Sequence, residues 1–108
     1  MNINKQIIEA VKPIGLSAFF IERGNNPVPC VVFNFFSNGK TYSDNVEESE
    51  EFNILINVLT DKNVTVTNSE VKKALLKAGF TGGQVQASLK QGDYFNTAIK
   101  FKKIIFHK

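Results

Sequence analysis

The residues able to do chemistry in this chain are few and badly spaced for it. Cys30 is the single cysteine and His107 the single histidine. One of each excludes a His-based triad, a multi-His metal site and a four-ligand zinc site within one chain. Cys30 stands between Pro29 and Val31 at the start of an apolar run, where a thiol serves as a small packed hydrophobe. Gly79-Phe80-Thr81-Gly82-Gly83 is glycine-rich but follows a helical pattern and lacks the Gly-Lys-Ser/Thr ending of a phosphate loop, so it reads as a helix cap and turn. The acidic group Asp44, Glu47, Glu48, Glu50 and Glu51 lacks the alternating ligands and fixed glycine of a calcium loop. It reads as a solvated connection or as a charged contact with another subunit. Lys100, Lys102, Lys103 and Lys108 read as the wet face of a terminal edge strand, where lysine also blocks stray strand pairing. A nucleic-acid surface would need Phe101 and Phe106 as stacking groups, and their alternation with the lysines points both rings toward the core. No cofactor or metal is expected, and no enzymatic activity.

The elements that carry these residues follow from periodicity. Ile3, Ile7, Ala10, Val11 and Ile14 recur at helical spacing, with Asn2 as N-cap and Pro13-Gly15 as the stop. Residues 16–22 form a short apolar strand, and 23–27 a turn-rich loop. In the strand over 30–36, Val31, Phe33 and Phe35 share one face and Cys30, Val32, Asn34 and Phe36 the other, which predicts cover on both sides. Ser37-Asn38-Gly39-Lys40 is a turn signal. Phe52, Ile54, Ile56 and Val58 alternate with Asn53, Leu55, Asn57 and Leu59 in a further strand. Asn68 or Ser69 caps a second helix with Val71, Ala74, Leu75 and Ala78 buried and Gly79 as its left-handed end. Strands over 84–90 and 94–106 follow, the last with a bulge at Lys102-Lys103 that lets Ile104 and Ile105 both pack.

The order is α-β-β-β-α-β-β, an α+β fold with a mainly antiparallel sheet and two helices. The 108 residues make one domain, 1–108, because two cores would each be too small to hold a fold. Hydrophobic residues at 43% and charged residues at 21% are globular proportions. A net charge of +3 is too small for a dedicated nucleic-acid binder. No apolar run reaches the length of a membrane span, and the N-terminus does not read as a signal peptide, so a cytoplasmic site of synthesis is expected.

The set Pro29, Tyr42-Ser43-Asp44-Asn45, Phe52–Val58, Gly79-Phe80 and Asp93-Tyr94-Phe95, in that order, resembles the small tail-completion or tail-terminator proteins of long-tailed phages and prophages, the head-to-tail joining group. The resemblance covers roughly residues 3–106; the segments LSAFFIE and QVQASLK fall outside its pattern. It implies a non-enzymatic structural protein of the virion tail or neck, assembled in the bacterial cytoplasm. It further implies a ring, commonly hexameric, that caps the tail tube and meets the head connector. Isolated subunits are expected to stay monomeric until a tail tip concentrates them. The expected partners are copies of itself, the tail-tube protein and connector proteins, with no membrane and no sequence-specific nucleic acid. The interface would draw on Tyr42, Asp44, Val46, Glu47, Glu48, Glu50 and Glu51 against Lys100, Lys102 and Lys103. The alternative is a small module that binds nucleic acid or a regulatory partner.

Overall fold

A computed structural model describes the backbone of residues 3–42 and 48–107, and their side chains except at 38–42, 48 and 107. Asn2, Asp44, Val46, Glu47 and Lys108 therefore lie outside the described residues, as do the side chains of Tyr42, Glu48 and His107. The order is helix α1 (Ile3–Val11), a 3₁₀ turn (Lys12–Ile14), strands β1 (Ala18–Phe20), β2 (Cys30–Tyr42) and β3 (Glu48–Thr60), helix α2 (Val64–Lys77), and strands β4 (Thr81–Gln91) and β5 (Tyr94–His107). The five strands form one sheet in the order β1-β2-β3-β5-β4. Only β1 runs parallel to its neighbour. The α+β reading and its element order are those of the structure.

Both helices lie on one face of this sheet. Ile3, Ile7 and Val11 of α1, one turn apart, are buried with Val71 and Leu75 of α2 over Val31, Phe33, Ile54, Ile56, Val58, Ile99 and Phe101. Phe35 and Phe52 pack at the margin of this core. They continue an aromatic row in which the Phe20 and Phe35 rings are 5.4 Å apart and those of Phe35 and Phe52 5.7 Å. α2 ends in a Schellman motif: Phe80 N–H donates to the Leu75 carbonyl and Gly79 N–H to that of Leu76, with Gly79 at φ 97°. The motif turns Phe80 inward, where it is buried beside Leu75.

Several expectations are corrected. Ser37–Lys40 is no turn. β2 runs through it to Tyr42 with one extra residue between the pairs Ser37–Phe52 and Lys40–Glu50, a bulge that absorbs the Asn-Gly pair while β3 keeps the strand extended. α2 starts at Val64, ahead of Asn68, with Asn63 left-handed at φ 55° and accepting the first helical bond from Thr67 N–H. Its first turns are poor helix formers and are fixed by tertiary contact: Asn68 Nδ2 donates to the buried Thr97 Oγ1 at 3.0 Å. Ala78, expected to be buried, is exposed. β4 begins at Thr81, so Gly82 and Gly83 lie within a strand, at one of its two register shifts. β5 carries no bulge at Lys102-Lys103, because it pairs residue for residue with β3 from Phe95–Thr60 to His107–Glu48. Ile105 therefore faces the core while Ile104 is exposed.

β1 is three residues long rather than seven, and the chain turns away immediately after it. Glu22 N–H donates to the Phe20 carbonyl around Ile21, whose φ is 73°. This is a γ-turn of the rarer, strained hand, at a β-branched residue that seldom adopts positive φ.

Candidate interaction surface

The sheet face opposite the helices is where the exposed residues gather. Residues opposite one another in paired strands share a face, so register defines its rows: Val32-Asn57-Ala98, Asn34-Leu55-Lys100 and Phe36-Asn53-Lys102 across β2, β3 and β5. Glu51 and Ile104 form the next pair on β3 and β5, and Phe106 lies beyond them. Phe36 is 65% exposed and Phe106 67%, and Leu55, Ile104 and Leu89 are also exposed. These large apolar side chains share one face with Asn53, Lys100 and Lys102, which makes it the candidate surface for meeting a partner.

The two ends of the face differ. At one end the loop after β1 folds over it. Ile21, Glu22, Arg23 and Gly24 enclose a cleft of about 390 Å³ over Val32, Asn57, Leu59 and Asn96, closed from the other side by Gln91 and Tyr94. The Arg23 guanidinium lies 4.9 Å from the Tyr94 ring centroid and also donates to the Asn26 carbonyl at 2.6 Å. This cover explains why Leu59 is buried although it sits on the face without helices, and Cys30, its partner across β2 and β3, is buried at the same end. Burial pushes the Cys30 thiol up, and Arg23 offsets this only in part, so the cysteine is protonated and packed as expected. The double cover predicted for β2 thus holds only at its Cys30 end. Towards Asn34 and Phe36 the face is open, and a groove of about 200 Å³ is lined there by Asn34, Phe36, Asn53, Leu55 and Lys100.

The predicted charged set is divided rather than brought together. Lys100 and Lys102 lie on the open face, but Lys103 lies on the helix face. Its ammonium sits 5.2 Å from the Phe80 ring centroid and donates to the Gly79 carbonyl at 3.4 Å. Glu50 and Glu51 are strand residues of β3, paired with Ile105 and Ile104, and point to opposite faces. Glu48 and Tyr42 pair with each other through their backbones. Sequence reasoning missed Phe106, which faces outward because β5 keeps its register, and it gave Phe36 no role. Uninterrupted alternation from Phe101 would have placed Phe106 outside.

At each sheet edge one backbone group is engaged by a local side chain. Beyond β1, the Phe35 N–H on the edge of β2 is taken by Asn34 Oδ1 at 2.9 Å. On β4, Gln86 Nε2 donates to the Gln84 carbonyl at 3.2 Å between two bulges. Among the described residues no three His, Cys, Asp or Glu side chains converge, and no helix is long and apolar enough to cross a membrane. No known family model and no curated protein matches the chain.

Proposed function

We propose that this chain is a structural, non-enzymatic subunit of a long-tailed phage or prophage, a ring-forming tail-terminator or tail-completion protein that caps the tail tube and joins tail to head. One observation carries the reading. The sheet is dressed by helices on one side only, and the other side keeps Phe36, Leu55, Ile104 and Phe106 in solvent. A subunit that buries this face against a different patch of the next copy would assemble heterologously, as rings require. The α+β order, which the resemblance to the tail-completion group also implies, supports the same reading.

In this reading the partners are further copies of the chain, the tail-tube protein and the head connector, and the protein resides in the tail or neck of the virion. Glu51, Lys100 and Lys102, which share the open face, tune the contact. Exposed ion pairs contribute only about 0–1 kcal/mol each, so the apolar side chains must supply most of the affinity. Electron microscopy of lysates from a phage lacking this gene tests the proposal. Filled heads beside unjoined tails are expected, and normal virions at normal yield would overturn it.

A further inference from the structure

We propose that the open sheet face of one copy docks on the groove between α1 and α2 of the next, with Lys102 set against Glu70 and Glu51 against Lys73 and Lys77. The inference rests on the reading above that this face meets a second copy, and it names the other half of that contact. The groove, of about 410 Å³, lies on the helix side of the sheet, away from the open face. Ala10, Ile14 and Ala74 give it an apolar floor, and Glu70, Lys73 and Lys77 follow one another along its α2 wall. Every copy therefore carries the two halves of the contact on opposite sides, as a head-to-tail assembly needs.

The order of charges commits the groove to a second copy. On the open face, Lys102 is followed two residues along β5 by Ile104, which pairs with Glu51 of β3. A cation and an anion are thus offset by about 7 Å along the strands. In the groove, Glu70 precedes Lys73 by about 4.5 Å and Lys77 by about 10.5 Å along the helix axis. The sheet runs from plus to minus where the groove runs from minus to plus, and the sheet offset falls between the two helix spacings. With Lys102 over Glu70, the exposed Ile104 lies above the groove, and the exposed Phe106 runs on toward Ala78 at its end. Two copies pressed open face to open face would instead bring Lys100 and Lys102 of each against a surface whose strands offer Glu51 as their described anion, a net repulsion. The groove is balanced, with Glu9 and Glu70 beside Lys73 and Lys77.

Cysteine trapping in the purified protein at millimolar concentration tests the pairing. Ile104→Cys and Ala74→Cys are made in separate chains, mixed, and treated with a short bismaleimide. The buried Cys30 should leave the parent protein unlinked. A dimer holding one chain of each kind is expected in the mixture, neither variant should link alone, and both cysteines in one chain should give a ladder of multimers. Adding Lys102→Glu to the Ile104→Cys chain should lower the yield of mixed dimer by roughly fivefold, and Glu70→Lys in its partner should restore it. Dimers of Ile104→Cys alone would show a face-to-face contact, and dimers of Ala74→Cys alone a groove-to-groove one. Either result, an unlinked mixture, or a yield indifferent to Lys102→Glu would overturn the proposal. Unjoined tails in the phage lacking this gene would still support the ring reading in each of those cases, and normal virions would remove that reading even if the ladder formed.

Discussion

Arg23 stacks on Tyr94 across two intervening strands, tying the loop after β1 to the start of β5 with β2 and β3 between them. The contact covers one end of the open face over Leu59. Removing it with Arg23→Ala should cost about 0.5–1 kcal/mol, the usual worth of an exposed cation–π pair. A double-mutant cycle with Tyr94→Ala measures the coupling, and additive effects would show that the two side chains merely lie near each other.

Cys30 gives the protein a pH dependence whose sign is fixed. Its thiol is held above the ordinary range by burial, so the folded protein keeps a proton that the unfolded chain loses first. The stability this carries is complete below the ordinary thiol pKa and is lost as pH rises above it. Urea melts of the parent and of Cys30→Ala, at neutral pH and above the thiol range, should show a steeper loss for the parent. Parallel losses would place the titration elsewhere.

Ile56 and Phe101 face each other's strands at the centre of the core, both almost fully buried. Ile56→Ala and Phe101→Ala should each destabilise by about 2–5 kcal/mol, through lost burial and the cavity left behind. The denaturation midpoint should fall with the slope unchanged. Melting alongside the parent would refute the assignment of the helix-covered face.

At Ile21 the usual direction of a glycine substitution should reverse. Glycine in an extended segment ordinarily costs about 0.5–1 kcal/mol, but here it would remove a left-handed strain of about 1–2 kcal/mol at a largely exposed side chain. Ile21→Gly should therefore be neutral or stabilising by up to about 1 kcal/mol in chemical denaturation. A clear loss would mean that the isoleucine side chain holds the loop in place.

Thr97 joins three elements. It accepts from Asn68 of α2 and shares a hydrogen bond of 2.8 Å with Ser88 of β4. Thr97→Val keeps the shape and leaves both partners without their bond, which should cost about 1–3 kcal/mol. Thermal denaturation compared with Ser88→Ala reads this. A neutral Thr97→Val would show that water replaces the hydroxyl.

The core was legible because its signals were local and redundant. Phe33, Ile54, Ile56, Val71, Leu75, Ile99 and Phe101 all fall where period-2 and helical spacing put them. The misreadings came where a distant partner overrides a local preference. Asn38-Gly39 has the chemistry of a turn, but Phe52 and Glu50 on the neighbouring strand hold it as a bulge. Val64–Asn68 lacks helix propensity, yet Asn68 is anchored by Thr97, 29 positions away. Phe106 was read as inward from its alternation with the lysines, but unbroken strand phase from the buried Phe101 puts it outside. The charged interface was the least legible part, because strand phase sends Lys102 and Lys103, adjacent in sequence, to opposite sides of the sheet.

The placement of β5 bears on how the protein is made. β3 can join β2 as soon as residue 60 has left the ribosome, but its other edge waits for residues 94–107. Over that interval the nascent chain carries a long strand whose second half, Phe52 to Leu59, is largely apolar, with one side of its backbone unsatisfied. It cannot be completed locally, since Thr60 must find Phe95 and Glu48 must find His107. Translation of the stretch between β3 and β5 is thus the window in which neighbouring chains on one polysome can pair wrongly. Slow codons placed there should lower the soluble yield more than the same codons placed before β2.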